Sequence, residues 1–130
     1  MMNISESIRE DLPKDIADLL RVLGQPERLS ILLVIGKGEA CVCHLEAALG
    51  LRQAYISQHL MVLRQAGIVT TRRDGKNIYY HLEDPDLLDL IREAGRLAGL
   101  PETEMASLTY PTFLENCPCP HCTGELTARG

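Results

Sequence analysis

The sequence predicts a mainly α domain carrying one β-hairpin, the outline of a winged helix-turn-helix. Three observations lead there. Apolar residues recur at three- and four-residue spacing through most of the chain. The period changes only between Ile68 and Leu82, around an Asp74-Gly75 turn signal. Aromatics are scarce, with four Tyr, one Phe and no Trp, so the core must be built from Leu, Ile, Val and Ala, which suits packed helices. At 130 residues the chain is one domain's worth, which argues against a two-domain enzyme. Hydrophobic content of 45% and charged content of 24% exclude wholesale disorder.

Residues 1–11 are polar and read as a flexible N-terminus. Leu12, Ile16, Leu19, Leu20 and Leu23 form the apolar stripe of a first helix that Gly24 ends. Pro26 suits a first helical position, and Leu29, Leu32, Leu33 and Val34 form the inner side of a second helix, stopped at Gly36-Lys37-Gly38. A short third helix, Ala40 to Leu49, closes at Gly50. A fourth runs from Gln53 to Ala66, with Ile56, Leu60 and Leu63 inward and Gly67 as its stop. Ile68 to Arg72 and Asn77 to Leu82 read as the strands of a hairpin. Pro85 opens a last helix through Leu87, Ile91, Ala94 and Ala98. Beyond it Pro101, Pro111, Pro118 and Pro120 break any regular element.

The formal net charge of -5 would argue against a nucleic-acid partner if it were evenly spread. It is not. Between Arg52 and Leu82 stand five basic residues (Arg52, Arg64, Arg72, Arg73, Lys76) and one acid, Asp74, a local +4 that leaves -9 to the flanks. Gln53, Tyr55, Ser57, Gln58 and His59 fall in the first two turns of the fourth helix, where a recognition helix presents side chains to base edges. The five basic residues are set to meet phosphates or the minor groove. Alone, such a helix face and hairpin read more readily as solvated surface than as a DNA contact. The order helix, turn, helix, basic hairpin favours DNA.

The segments Leu23-Gly24-Gln25-Pro26-Glu27-Arg28-Leu29, Cys41-Val42-Cys43-His44-Leu45, Tyr55-Ile56-Ser57-Gln58-His59-Leu60, Leu63-Arg64-Gln65-Ala66-Gly67-Ile68-Val69, Arg72-Arg73-Asp74-Gly75-Lys76 and Tyr79-Tyr80 together resemble the ArsR/SmtB family of metal-sensing repressors. The resemblance covers about Ile16 to Leu97. It implies a homodimer of winged-helix protomers whose first and last helices pair across the two-fold axis, an operator-DNA partner, and release when an inducer binds. The chain then divides into the flexible 1–11, a DNA-binding and dimerisation domain at 12–100, and a Cys/Pro-rich tail at 101–130.

Five cysteines, an odd and clustered set, point to thiols or metal ligation in a reducing compartment, hence the cytoplasm, rather than to a disulfide scaffold. The resemblance implies that Cys41 and Cys43 are the thiolate pair of the family's arsenic, cadmium and lead sensors. Residues two apart on a regular helix face different ways, so both sulfurs reach one ion only if the helix start is extended or distorted. Two thiolates are also too few for a soft ion, which takes three or four. Cys117, Cys119 and Cys122 of the tail are the candidates to complete the set, with Cd(II), Pb(II), As(III) or Zn(II) as the inducing ion.

Other readings of these residues stay open. Cys41 and Cys43 could be packing thiols. The tail, with His121, could be a separate zinc knuckle. The cysteines could also sense oxidant or persulfide without metal.

The chain departs from the family's arsenic sensors in carrying Glu46 where they have a third Cys. Its last helix holds Asp86, Asp89 and Glu93 but no His, so no metal site is expected there and these acids read as solvated. His44 and His59 are assigned to surface or DNA contact and His81 to a strand end. Cys119-x-x-Cys122 lacks the strand-to-helix context of dithiol redox catalysis, so no enzyme is expected. The longest aliphatic run, Ile31 to Ile35, is far short of a membrane span. The acidic Glu6, Glu10 and Asp11 do not suit a secretory signal.

Overall fold

The computed structural model describes residues 3–106. Helix α1 spans Asn3–Leu23, α2 Pro26–Ile35, strand β1 Glu39–Cys41, α3 Val42–Leu49, α4 Gln53–Gln65, β2 Val69–Asp74, β3 Asn77–Leu82, α5 Leu87–Leu97 and α6 Glu102–Ala106. The result is a mainly α, winged helix-turn-helix fold with a three-stranded antiparallel sheet ordered β1-β3-β2.

Local chemistry explains most boundaries. Gln25 is extended ahead of α2 and Pro26 takes the first turn, where its missing N–H costs nothing. Gly50, at φ +67, ends α3 in the left-handed region, and its N–H donates to the Glu46 carbonyl at 2.8 Å. That conformation makes the three-residue turn between α3 and α4 possible. In the hairpin, Asp74 faces Asn77, and the two-residue loop puts Gly75 at φ +64.

The core is one aliphatic cluster in which Ile31, Leu32, Leu45, Ile56, Leu60, Leu63 and Val69 are essentially sealed from solvent. It binds α2, α3 and α4 to the sheet. Burying each such side chain contributes about 1.5–3 kcal/mol before entropy is counted.

Four features differ from the sequence expectation. Helix α1 begins at Asn3 rather than Leu12, with Pro13 inside it. The third helix does not begin at Ala40, because Glu39, Ala40 and Cys41 pair antiparallel with His81, Tyr80 and Tyr79. Three residues are too few to show a period of two, and only the distant strand makes this segment extended. Helix α5 begins at Leu87, two residues after Pro85. Past Leu100 the chain is not irregular at once: α6 follows Pro101, and its Met105 is buried against α5 beside Gly95.

Of the described α1 side chains only Leu23 is buried, whereas Leu12, Ile16, Leu19 and Leu20 are 38–56% exposed. Leu90, Leu97 and Leu100 are also exposed. An open apolar groove of about 520 Å³ runs between these surfaces, lined among others by Leu20, Leu29, Leu33, Leu90 and Met105. No described helix is long and apolar enough to cross a membrane.

Candidate nucleic-acid interface and thiol site

Helix α4 separates its residues by face. Ile56, Leu60 and Leu63 enter the core, which turns Gln53, Tyr55, Ser57 and Gln58 outward together with Arg52 just ahead of the helix and Arg64 near its end. The wing presents Arg73 and Lys76 in the same exposed state at its tip. Nine of the ten sequence-predicted DNA contacts are thus at the surface, the ninth being Arg72.

Arg72 is exposed but already engaged. Its Nε and Nη2 donate to Oε2 and Oε1 of Glu39 at 3.1 and 2.5 Å. Its guanidinium also stands 4.9 Å from the centre of the Tyr79 ring. Arg72 and Cys41 face Tyr79 from opposite sides in the sheet register, and side chains in such a row share one face. Glu39, two residues before Cys41, lies on that face too. Glu39 carries no sequence signal for this role, because it requires a strand that only the fold reveals.

His59 is the exception, and the surface expectation for it is corrected. It is 7% exposed and turned towards α2, where its Nδ1 accepts a hydrogen bond from Arg28 Nε at 3.2 Å. The Tyr55 ring packs edge-on against it, with centroids 4.5 Å apart. Burial is the main cause that pulls the His59 pKa below its ordinary value, and the Arg28 cation adds to it against the opposing charge of Glu27. His44 is likewise buried, at 4% exposure, because it lies on the inner side of α3. His81 stands near the end of β3, within 2.5 Å of the Thr70 hydroxyl through Nε2.

Cys41 and Cys43 meet. Their sulfurs are 2.8 Å apart without being joined in a disulfide, with Cys41 buried and Cys43 half-buried. The geometric obstacle noted from the sequence is removed by β1. Cys41 is its last residue and the N-cap of α3, with extended backbone at φ -89 and ψ 170, so its side chain escapes the helical spacing. The donor set is soft and converges on one side, which suits a thiophilic ion. It is also incomplete: among the described residues no three His, Cys, Asp or Glu side chains stand close enough to hold a metal. Cys117, Cys119, His121 and Cys122 lie outside the described residues. On α5, Asp86, Asp89 and Glu93 are exposed, with Asp89 and Glu93 paired to Arg92 and Arg96.

The family model for "Bacterial regulatory protein, arsR family" matches residues 25–71, from the start of α2 into β2. The Biofilm growth-associated repressor of Agrobacterium fabrum is 41% identical over 91 residues, 70% of this chain and 78% of that protein. The HTH-type transcriptional repressor SmtB of Mycobacterium tuberculosis is 38% identical over 67% of each chain. A Cadmium resistance transcriptional regulatory protein CadC homolog of Staphylococcus aureus is 33% identical, over 74% of this chain and 77% of that protein.

Among solved structures, the transcriptional repressor BigR from Xylella fastidiosa superposes with a TM-score of 0.63 at 34% identity, over 78% of this chain and all of that one. The homodimeric winged helix-turn-helix DNA-binding domain of a possible ArsR-family regulator from Mycobacterium bovis gives 0.62 at 27% identity, over 70% of this chain and 84% of that one.

Proposed function

The chain belongs to the ArsR/SmtB family of winged helix-turn-helix transcriptional repressors, and from that premise we propose that it is a metal(loid)-responsive repressor whose cysteine thiolates sense a soft ion. A cytoplasmic homodimer holds operator DNA through two α4 helices and two wings. Gln53, Tyr55, Ser57 and Gln58 read base edges, while Arg52, Arg64, Arg73 and Lys76 meet phosphates. The dimer is supported by the unpartnered apolar face of α1, with Leu90 and Leu97 of α5, and by the homodimeric state of the M. bovis domain.

One observation carries the sensing role: the Cys41 and Cys43 sulfurs converge at 2.8 Å at the start of α3, the helix that leads through Gly50 into α4. With Cys117, Cys119 and Cys122 these thiolates reach the three or four sulfurs that Cd(II), Pb(II), As(III) or Zn(II) takes. Closing the tail on the start of α3 changes the setting of the helix-turn-helix and weakens DNA binding. The CadC homolog named for cadmium resistance supports an ion of this class. X-ray absorption on protein loaded with cadmium tests the ligand set. The proposal expects three or four sulfur neighbours, reduced in the C41S/C43S double variant. A shell dominated by nitrogen or oxygen contradicts it.

A second reading has its own support. Two thiols this close, with no third ligand among the described residues, can be oxidised to a disulfide. Two protons and two electrons then pass to an oxidant such as a polysulfide. That reading expects operator release by oxidant in metal-free protein and a mass loss of two hydrogens.

A further inference from the structure

Arg28 joins three helices. It stands in the first turn of α2 and donates through Nη1 to the carbonyl of Val22, in the last turn of α1, at 3.0 Å. Through Nε it donates to His59 Nδ1 on α4 at 3.2 Å. The Val22 carbonyl belongs to the group of four that a helix leaves unpaired at its C-terminal end, so the first bond caps α1. The second falls on a ring that is almost wholly buried. Accepting at Nδ1 leaves neutral His59 with its proton on Nε2, which has no hydrogen-bond partner among the described residues. Arg28 is therefore the one polar anchor found for that ring among the described residues. The guanidinium is planar and rigid, so two acceptors held by its fork are fixed relative to each other.

We infer that Arg28 is a positioning residue for DNA binding: it fixes the reading helix α4 to the end of α1 and so sets the distance and angle between the two reading heads. The inference rests on the dimer reading given above, in which α1 lies at the two-fold contact. Twofold repressors read half-sites about one helical turn apart, so a fixed angle between the heads appears as a preference for one half-site separation. The contact with Tyr55 carries the same restraint to the outer face of α4, since Tyr55 packs on the His59 ring.

The test uses the full chain and an operator selected in vitro, remade with one base pair added or removed between its half-sites. Wild-type protein is expected to lose roughly tenfold or more in affinity on altered spacing. The R28A variant is expected to bind with that penalty reduced to about twofold. H59N keeps an acceptor near the position of Nδ1 and should retain the wild-type penalty. If R28A does not fold, R28K decides, because its single ammonium lacks the planar fork and should also lose the penalty.

Sedimentation of each protein on DNA separates the two claims. A wild-type monomer contradicts the dimer reading. A dimeric, folded Arg28 variant with the full spacing penalty overturns the positioning role alone, as does an H59N variant that loses the penalty.

Discussion

Arg72 reaches across the central strand to Glu39, donating to both of its carboxylate oxygens from the neighbouring wing strand. A residue that sequence alone assigns to phosphate or the minor groove is thus neutralised by an acid from the strand that carries Cys41. The wing and the strand that ends on Cys41 belong to one sheet.

Removing that acid should expose the cation. The pair is partly exposed, so Glu39→Gln costs at most about 1 kcal/mol of stability. Freeing Arg72 for a phosphate should steepen the fall of log affinity with log salt concentration by about 0.9 per protomer. Operator titrations from low to high salt check this; a slope equal to wild type means that Arg72 does not reach DNA even when released.

The turn of the helix-turn-helix depends on Gly50. A Cβ there meets nothing within 4 Å, yet φ is +67, so the cost of substitution lies in the backbone alone. Gly50→Ala should lower unfolding free energy by about 1–2 kcal/mol, the cost of a left-handed L-residue. Denaturant unfolding measures it. A variant as stable as wild type shows that the turn has another way to close.

Acid should loosen the bridge between α2 and α4. His59 has a folded pKa below its ordinary value of 6.5, chiefly through burial and then through Arg28. The unfolded chain therefore takes up the proton first. The stability linked to His59 is fully present above pH 6.5 and is lost as pH falls from there through the folded value. Protonated His59 can no longer accept from Arg28. Urea unfolding across this range should show a loss that H59N lacks; equal losses in the two proteins contradict it.

Periodicity made most of the fold legible. Leu29 to Val34, Ile56 to Leu63 and the Asp74-Gly75 hairpin lie where spacing and turn chemistry put them, because each element carries its own signal. What escaped depends on residues far apart. Glu39 to Cys41 become a strand only because Tyr79 to His81 lie alongside. His59 sits within an outwardly polar run, and only the packing of α2 turns it inward to Arg28. The thiol pair was legible as chemistry, but its convergence was not, since it required β1 to end on Cys41. Helix α6 was hidden behind Pro101, a residue that suits a helix start as well as a break.

One titration tests ion-driven release from DNA most directly. A fluorescent operator duplex is saturated with the reduced protein, and cadmium, lead or arsenite is added while anisotropy is followed, with C41S/C43S protein in parallel. At least one of these ions should release the protein, weakening operator affinity about 5- to 150-fold, and none should do so in the double variant. Unchanged operator affinity of the wild-type protein at saturating levels of all three ions would contradict ion-driven release.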